Sequence, residues 1–416
     1  MENSHALITN DAVIFGLLMA ILAFVFHTSN NGGPRWKKFY SVVPMLLLCY
    51  FIPSLLNSTG IVDSENSNLY YVASRYLLPA CLVLLTLSVD LKEIAKLGFK
   101  PLVMFFTATI GIIIGGPIAI LLASYINPNL VGGAGPEAVW RGMATVAGSW
   151  IGGGANQAAM KEVFEVSDNM FGIMVTVDIV VAEIWMAFLL IGIGKKDQID
   201  HFFKADSSSV ARLQEKMEAY GKSISRTPTT TDLMVMLGIA FLATGLAHFG
   251  ADVIAPAITE HAPDLKRFSL TSKFFWLIVI ATTIGVILSF TKVRNYEGAG
   301  ASKIGTIFIF ILVATIGMKM DIRAMGEHPG LFAVGGIWMI FHIVLLVIVG
   351  KIIRAPYFFL AIGSKANIGG AASAPVLAAA FHPALAPVGV LLAVFGYVLG
   401  TYGAWLCGLL MQAVAP

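Results

Sequence analysis

The sequence predicts an all-α polytopic membrane protein: an inverted repeat of about five transmembrane helices plus one re-entrant hairpin (or broken helix) per half, arranged as scaffold and core transport domains. Three observations predict it. Hydrophobic residues make up 57% of the 416 residues and charged ones only 12%, against about 25% charged in soluble domains; the mean hydropathy is +0.82. Apolar runs long enough to cross a bilayer, about 20 residues each, recur along the whole chain. Finally, two glycine-rich stretches 217 positions apart spell nearly the same thing. Ile151-Gly152-Gly153-Gly154-Ala155-Asn156 runs on to Phe164, and Ile368-Gly369-Gly370-Ala371-Ala372-Ser373 runs on to Phe381. Each follows its own Gly-Ser pair, Gly148-Ser149 and Gly363-Ser364.

Hydropathy and flanking charge place spans at 12–28, 38–57, 70–89, 101–125, 170–194, 232–250, 274–291, 304–319, 331–350 and 388–412. No Lys or Arg precedes the first run, which argues against a cleaved signal peptide. The glycine-rich segments, 138–166 and 355–383, lie between spans, and loop charge decides how they run. Basic residues collect at 29–37 (Arg35, Lys37), at 90–100 (Lys92, Lys96, Lys100) and in the long 195–230 loop, whereas 58–69 carries Asp63 and Glu65 and no base. Basic loops face the cytoplasm. If 138–166 crossed fully, the most basic loop would land outside; if it enters and leaves on one side, that loop joins the others inside. The second half behaves likewise, with Lys292, Arg294, Lys303, Lys351 and Arg354 inside. Both termini are then outside.

An odd number of crossings per half inverts the second copy relative to the first. The predicted organisation is a first repeat over 1–194, a cytoplasmic linker over 195–230 and a second repeat over 231–416. Asp90-Leu91-Lys92 and Asp321-Ile322-Arg323 end matching spans, and Asp11 and Asp232 precede matching spans. Within the linker, Val210 to Met217 reads as a short surface helix.

Several function classes are excluded. Cys49, Cys81 and Cys407 lie in apolar spans without a CxxC, and the eight histidines show no HExxH spacing, so neither a disulfide framework nor a zinc site is indicated. The net charge of +3 comes without a basic, aromatic-interleaved patch for nucleic acid. No nucleophile has an evident partner base; the chain is not read as an enzyme, and no cofactor is expected beyond a coupling ion, Na+ or H+.

Irregular backbone at membrane depth is tolerated only where it is buried in protein or lines a watery cavity, so the glycine tips present backbone dipoles to a polar ligand. The substrate-binding candidates are Ser149, Gly153, Gly154, Asn156 and Gln157 in the first segment, with Ser364, Lys365, Asn367, Gly369, Gly370 and Ser373 in the second. The competing reading is that small residues only allow tight helix packing. Asp178 and Glu183 stand inside an apolar span, where a carboxylate costs at least about 2.5–3.5 kcal/mol. Both are ion-coupling candidates, with sodium at Asn156 and Asp178 and a pairing of Asp178 with Lys365. A structural ion pair is the alternative. Asp90 and Asp321 read as solvated span ends, Lys161 and Glu162 as outer-surface residues, and His342 as a relay or a structural histidine.

These same residues, Gly148-Ser149 with Ile151 to Asn156 and Ser364-Lys365-Ala366-Asn367-Ile368-Gly369-Gly370-Ala371, resemble the paired signatures of the integral membrane family catalogued as domain of unknown function 819, over essentially the whole chain. That family is similar to the cation:proton antiporter and anion transporter superfamily, with its sodium-coupled glutamate, citrate and bile-acid carriers. The resemblance implies inverted repeats, a homodimeric scaffold and a moving core, with Gly153, Gly154, Asn156, Asn367, Gly369 and Gly370 forming the substrate and ion site. Lys365 departs from the uncharged residue expected at such a tip. The expectation is a secondary active transporter in a bacterial inner membrane, surrounded by lipid. It would carry a small organic anion (carboxylate, amino acid or short peptide) in symport with sodium or protons. A cation/proton antiporter without organic substrate and a membrane sensor or scaffold are the rivals.

Overall fold

The computed structural model describes residues 6–40, 43, 45–215, 227–320 and 328–416, and among them the chain is helical, with a single isolated bridge between Ile8 and Val62. The first half runs through α1 (Asp11–Asn31), α2 (Pro34–Tyr40), α3 (Met45–Ser58), α4 (Leu69–Leu87), α5 (Leu91–Lys96), α6 (Phe99–Ile126), α7 (Val139–Val163) and α8 (Asp168–Ile193). After α9 (Lys196–Phe203) and a helical stretch over 208–215 come α10 (Thr230–His261), α11 (Lys273–Ser289), α12 (Ala301–Lys319) and α13 (Gly330–Ile352). The chain ends with α14 (Tyr357–Asn367), α15 (Gly370–Phe381) and α16 (Ala386–Val414). Eight helices are long and apolar enough to cross a bilayer, and up to ten if α2 with α3, and α11 with the turn at Lys292–Ala299, each form one bent span. The proposed counterpart Asp321-Ile322-Arg323 and the end of the expected linker helix lie outside the described residues.

Polar residues set the helix starts, because the first turn leaves backbone N–H groups unpaired. Asn10 accepts from the amides of Ala12 and Val13, Ser167 from that of Met170, and Thr229 with Asp232 forms a reciprocal capping box on α10. Asp90 is not a solvated span end: it is buried, caps α5 through the Glu93 amide and lies 3.2 Å from Arg294.

Two helix groups result. Packing is densest within α1, α3, α4, α10, α11 and α12, and separately within α6, α7, α8, α13, α14, α15 and α16; contacts between the groups run mainly through α4 and α11 against α7 and α16. Contacts within the first group are reciprocal between halves: α12 packs on α3 as α4 packs on α11.

α7 is not a straight rod. Gly152 (φ −137°, ψ 17°) and Gly153 (φ 69°, ψ −175°) break it, the second at a positive φ with extended ψ, a conformation open essentially to glycine alone. Beyond the break the chain folds back. A Cβ on Gly148 would lie 2.6 Å from the Asn156 carbonyl oxygen, although eight residues of straight helix would separate them by about 12 Å. Farther out, Trp140 meets Phe164 edge-on at 5.6 Å and Arg141 donates to the Phe164 carbonyl. α14 and α15 repeat this shape around Gly369 (φ 106°): Tyr357 and Phe358 meet Phe381 at 5.8 and 5.1 Å. Trp140 and Tyr357, like Phe164 and Phe381, stand 217 positions apart.

The two mouths open at opposite ends of the bundle. The first lies with the 58–69 and 262–272 loops and the chain end: Ser269 donates to Val163 O at 3.2 Å, Trp405 to Phe268 O at 2.9 Å, and Asn57 to Met320 O at 3.3 Å. The second lies with the basic loops: Lys100 donates to Arg354 O at 2.8 Å and the Tyr357 amide to Asp200 at 2.6 Å.

Candidate functional site

The two breaks meet inside the second helix group. A Cβ on Gly370 (φ 55°) would sit 3.7 Å from Gly153 Cα and 3.7 Å from the Tyr397 hydroxyl oxygen, and one on Gly153 would sit 3.1 Å from the Tyr397 ring. α16 reaches this point because Gly400 packs against Gly152, a Cβ on Gly400 approaching Gly152 Cα to 2.5 Å. On the other side Gly154 faces Ile309 of α12, in the first helix group, where an added Cβ would lie 3.9 Å from the isoleucine side chain, in ordinary van der Waals contact.

Each break is pinned by an asparagine. Asn156 donates to Gly152 O (3.0 Å) and Tyr397 O (3.1 Å) and accepts from Thr401 (2.7 Å). Asn367 donates to Gly363 O (2.9 Å) and Phe105 O (3.2 Å) and accepts from Thr109 (2.8 Å). In both cases the amide bonds a carbonyl and a threonine four residues apart on one helix. These amides hold backbone first; what Asn156 offers a cation is its remaining oxygen lone pair. Because Thr401 gives its proton to Asn156, Thr282 of α11, 3.3 Å away, donates to Thr401 and links the first helix group to the first break.

Asp178 is buried on α8 and accepts from Trp150 Nε1 at 2.7 Å and Gln157 Nε2 at 3.0 Å, with buried Ser149 beside it. Three side chains of the first segment thus gather on one carboxylate. Lys365 is fully buried, donates to Ala182 O at 3.3 Å and lies along Gly369, whose Cβ would come within 3.4 Å of its Nζ. The expected ion pair between Lys365 and Asp178 is not formed; the ammonium is met by a carbonyl, while Glu183 and Asp178 act on it from farther away. Ser373 adds a buried hydroxyl oxygen over Gly369 that has no partner among the described residues. Ser364 does not face this cluster but accepts from Trp185 at 2.8 Å and bonds His342 Nε2 at 2.8 Å, among buried side chains.

Glu183 stands apart. It is exposed, on the outward face of α8 with Val180, Ile184 and Phe188, because five residues turn a helix by about 140° from Asp178. Lys161 and Glu162 are not surface residues either: Lys161 is buried, 2.8 Å from Asp168 and 3.2 Å from Tyr70 Oη, and Glu162 lies 2.8 Å from Arg75 and accepts from Tyr70. Trp150, Trp185 and Thr401 were missed by sequence reasoning; an indole N–H in an apolar run needs an acceptor, and that was the available signal. No group of His, Cys, Asp and Glu able to hold a metal ion occurs among the described residues.

The family described as "Protein of unknown function (DUF819)" matches residues 16–414. The chain is also similar to "Uncharacterized membrane protein YjcL" of Bacillus subtilis (strain 168), 24% identical over 408 residues, with 96% of each chain covered. With its long apolar helices, it is an integral membrane protein.

Proposed function

The chain belongs to that family of membrane proteins, and we propose that it is a secondary active transporter carrying a small organic anion in symport with sodium or protons. In this reading the two folded-back segments are re-entrant from opposite faces of a bacterial inner membrane, one in each of two inverted repeats (1–194 and 231–416, joined by the 195–230 linker). The basic loops at the second mouth are cytoplasmic and the termini are outside. The second helix group is the moving core of an elevator, and the first group is a scaffold that pairs with a second copy of the chain.

The observation that carries the proposal is the meeting of the two glycine breaks at Gly153 and Gly370, with a buried carboxylate on one side and a buried ammonium on the other. Secondary transporters place substrate and ions where broken helices meet near the midplane. Tip amides and Lys365 would take the anionic group, and Asp178 with Asn156 the cation. Coupling is reciprocal: each ligand raises the other's affinity by the same factor.

One feature supports a second reading, cation/proton antiport without an organic substrate. Lys365 lacks a carboxylate at ion-pair distance and supplies its own positive charge at the tips, where a second coupling cation would otherwise bind. Reconstitution separates the two. Saturable accumulation of a radiolabelled dicarboxylate or amino acid in proteoliposomes, driven by a sodium or proton gradient, is the expected result. Cation exchange without uptake of any organic anion tested would select the antiporter, and neither activity would reject transport.

A further inference from the structure

A polar cavity of about 430 Å³ lies at the mouth of the first folded-back segment, apart from the glycine breaks, and its charge is predominantly positive. Arg141, Lys266 and Arg267 line it against a single carboxylate among the lining residues, Glu165. Its volume is that of a small-molecule site rather than of one bound water. Three observations make it a built site. Arg141 is fixed by donating to Phe164 O, with its guanidinium 5.0 Å from the Trp140 ring centroid. Ser269 ties the 262–272 loop to Val163 O, and Trp405 ties the same loop to α16 through Phe268 O. Lys266 and Arg267 have no ion-pair partner among the described residues, and Arg267 lies 4.6 Å from the Phe268 ring centroid.

The equivalent cavity at the second mouth, of about 270 Å³, has Lys196 against Asp197 and Asp200. The positive balance is therefore a property of this one cavity, not of the repeated shape. A concave surface carrying one sign of charge raises the local concentration of the opposite ion. From this mouth the second arm, 154–163, leads to the tips over about 15 Å.

We propose that the cavity bounded by Arg141, Lys266 and Arg267 is an anion-binding vestibule that takes a small, free carboxylate or phosphate-bearing solute before it reaches the tips. Arg141 grips the anion with its remaining guanidinium donors, and Lys266 with Arg267 closes over it from the loop. The proposal rests on the transporter reading for its destination, but the binding itself does not.

The test is calorimetric titration of the purified protein with succinate, glutamate and inorganic phosphate, in detergent and in nanodiscs of phosphatidylcholine or phosphatidylglycerol. At least one free anion is expected to bind in detergent and in phosphatidylcholine, and Lys266→Gln/Arg267→Gln to weaken it tenfold or more. Both residues are exposed, so the variant keeps its fold, checked by gel filtration and thermal midpoint. In proteoliposomes the same variant raises half-saturation and leaves the maximal rate. Unchanged binding in the variant overturns the vestibule, as does a site that responds only to phosphatidylglycerol, which would make it a lipid headgroup site. Loss of binding in the variant, with no transport by the wild type, leaves the vestibule standing and removes the transporter reading.

Discussion

The two folded-back segments share a shape and differ in what they hold. Both break at glycines with positive φ, both are clasped at the mouth by aromatic residues 217 positions apart, and both are pinned by an asparagine bonded to a threonine and a carbonyl. Yet the first gathers Trp150 and Gln157 onto a carboxylate of α8, while the second carries its own ammonium, Lys365, and leaves Ser373 unpartnered among the described residues. Their mouths differ as well: the first cavity is basic, and at the second the partly buried Asp200 carboxyl is held above its ordinary range by desolvation, against the Tyr357 amide. Backbone form is common property; charge is not. The lesson is that the shared backbone shape brings the two breaks together, and each segment's own side chains give its end a charge.

The comparison breaks most completely if the mouths are not on opposite sides. Single cysteines at exposed positions are expected to label all-or-none: Glu137→Cys and Glu165→Cys from one face of oriented vesicles, Arg354→Cys and His382→Cys only from the other. The native cysteines are buried and give no background. Glu137→Cys and Glu165→Cys labelling from different faces would end the re-entrant reading.

Next in size are the two charges. As a hypothesis resting on its burial and paired donors, Asp178→Asn is expected to lower uptake by about 100-fold or more and to abolish its cation dependence. Folding should persist, since an amide oxygen still accepts from one indole or amide N–H. Uptake that keeps its sodium or pH dependence would reject the assignment. Lys365→Met is expected to lose transport to a similar extent while leaving the thermal midpoint unchanged or raised, because a buried ammonium with one carbonyl acceptor is costly. A destabilised but active variant would make Lys365 structural and dissolve the contrast between the segments.

How much of this was legible follows from what sequence can encode. A backbone position of positive φ is written as glycine, so the breaks at Gly153 and Gly369 could be read, and so could the apolar runs that became helices. What a side chain meets across the bundle is not written locally. Asn156 is bonded to Thr401, 245 positions away, and Asn367 to Thr109, 258 away; neither separation leaves a periodic trace. Helix phase explains Glu183, which stands in an apolar run but, about 140° round from Asp178, turns to the exposed face of α8. Lys161 was misjudged because a charged pair after a span resembles a surface end, and only Tyr70 and Arg75 from α4 reveal the enclosed network.

The smallest expected effect tests whether the two clasps are energetic equals. Trimming the aromatic edge contact costs about 0.5–1.5 kcal/mol beyond area, so Phe164→Leu and Phe381→Leu should each lower the thermal midpoint by a few degrees at most. They should not do so equally. Phe164 is 3% exposed and packs on Gly408 of α16, where the ring sits in the space a Cβ would need, whereas Phe381 is only half-buried. A leucine at 164 leaves a void beside a helix that cannot move in, and one at 381 is relieved by solvent. The Phe164 variant should therefore lose more, and equal losses would mean that the mouth of the second segment is held as rigidly as the first. That result would count against the proposed moving core, because in that reading the second mouth loosens as the core moves, and a mouth that opens must give up its clasp at a smaller free-energy cost than one that stays shut.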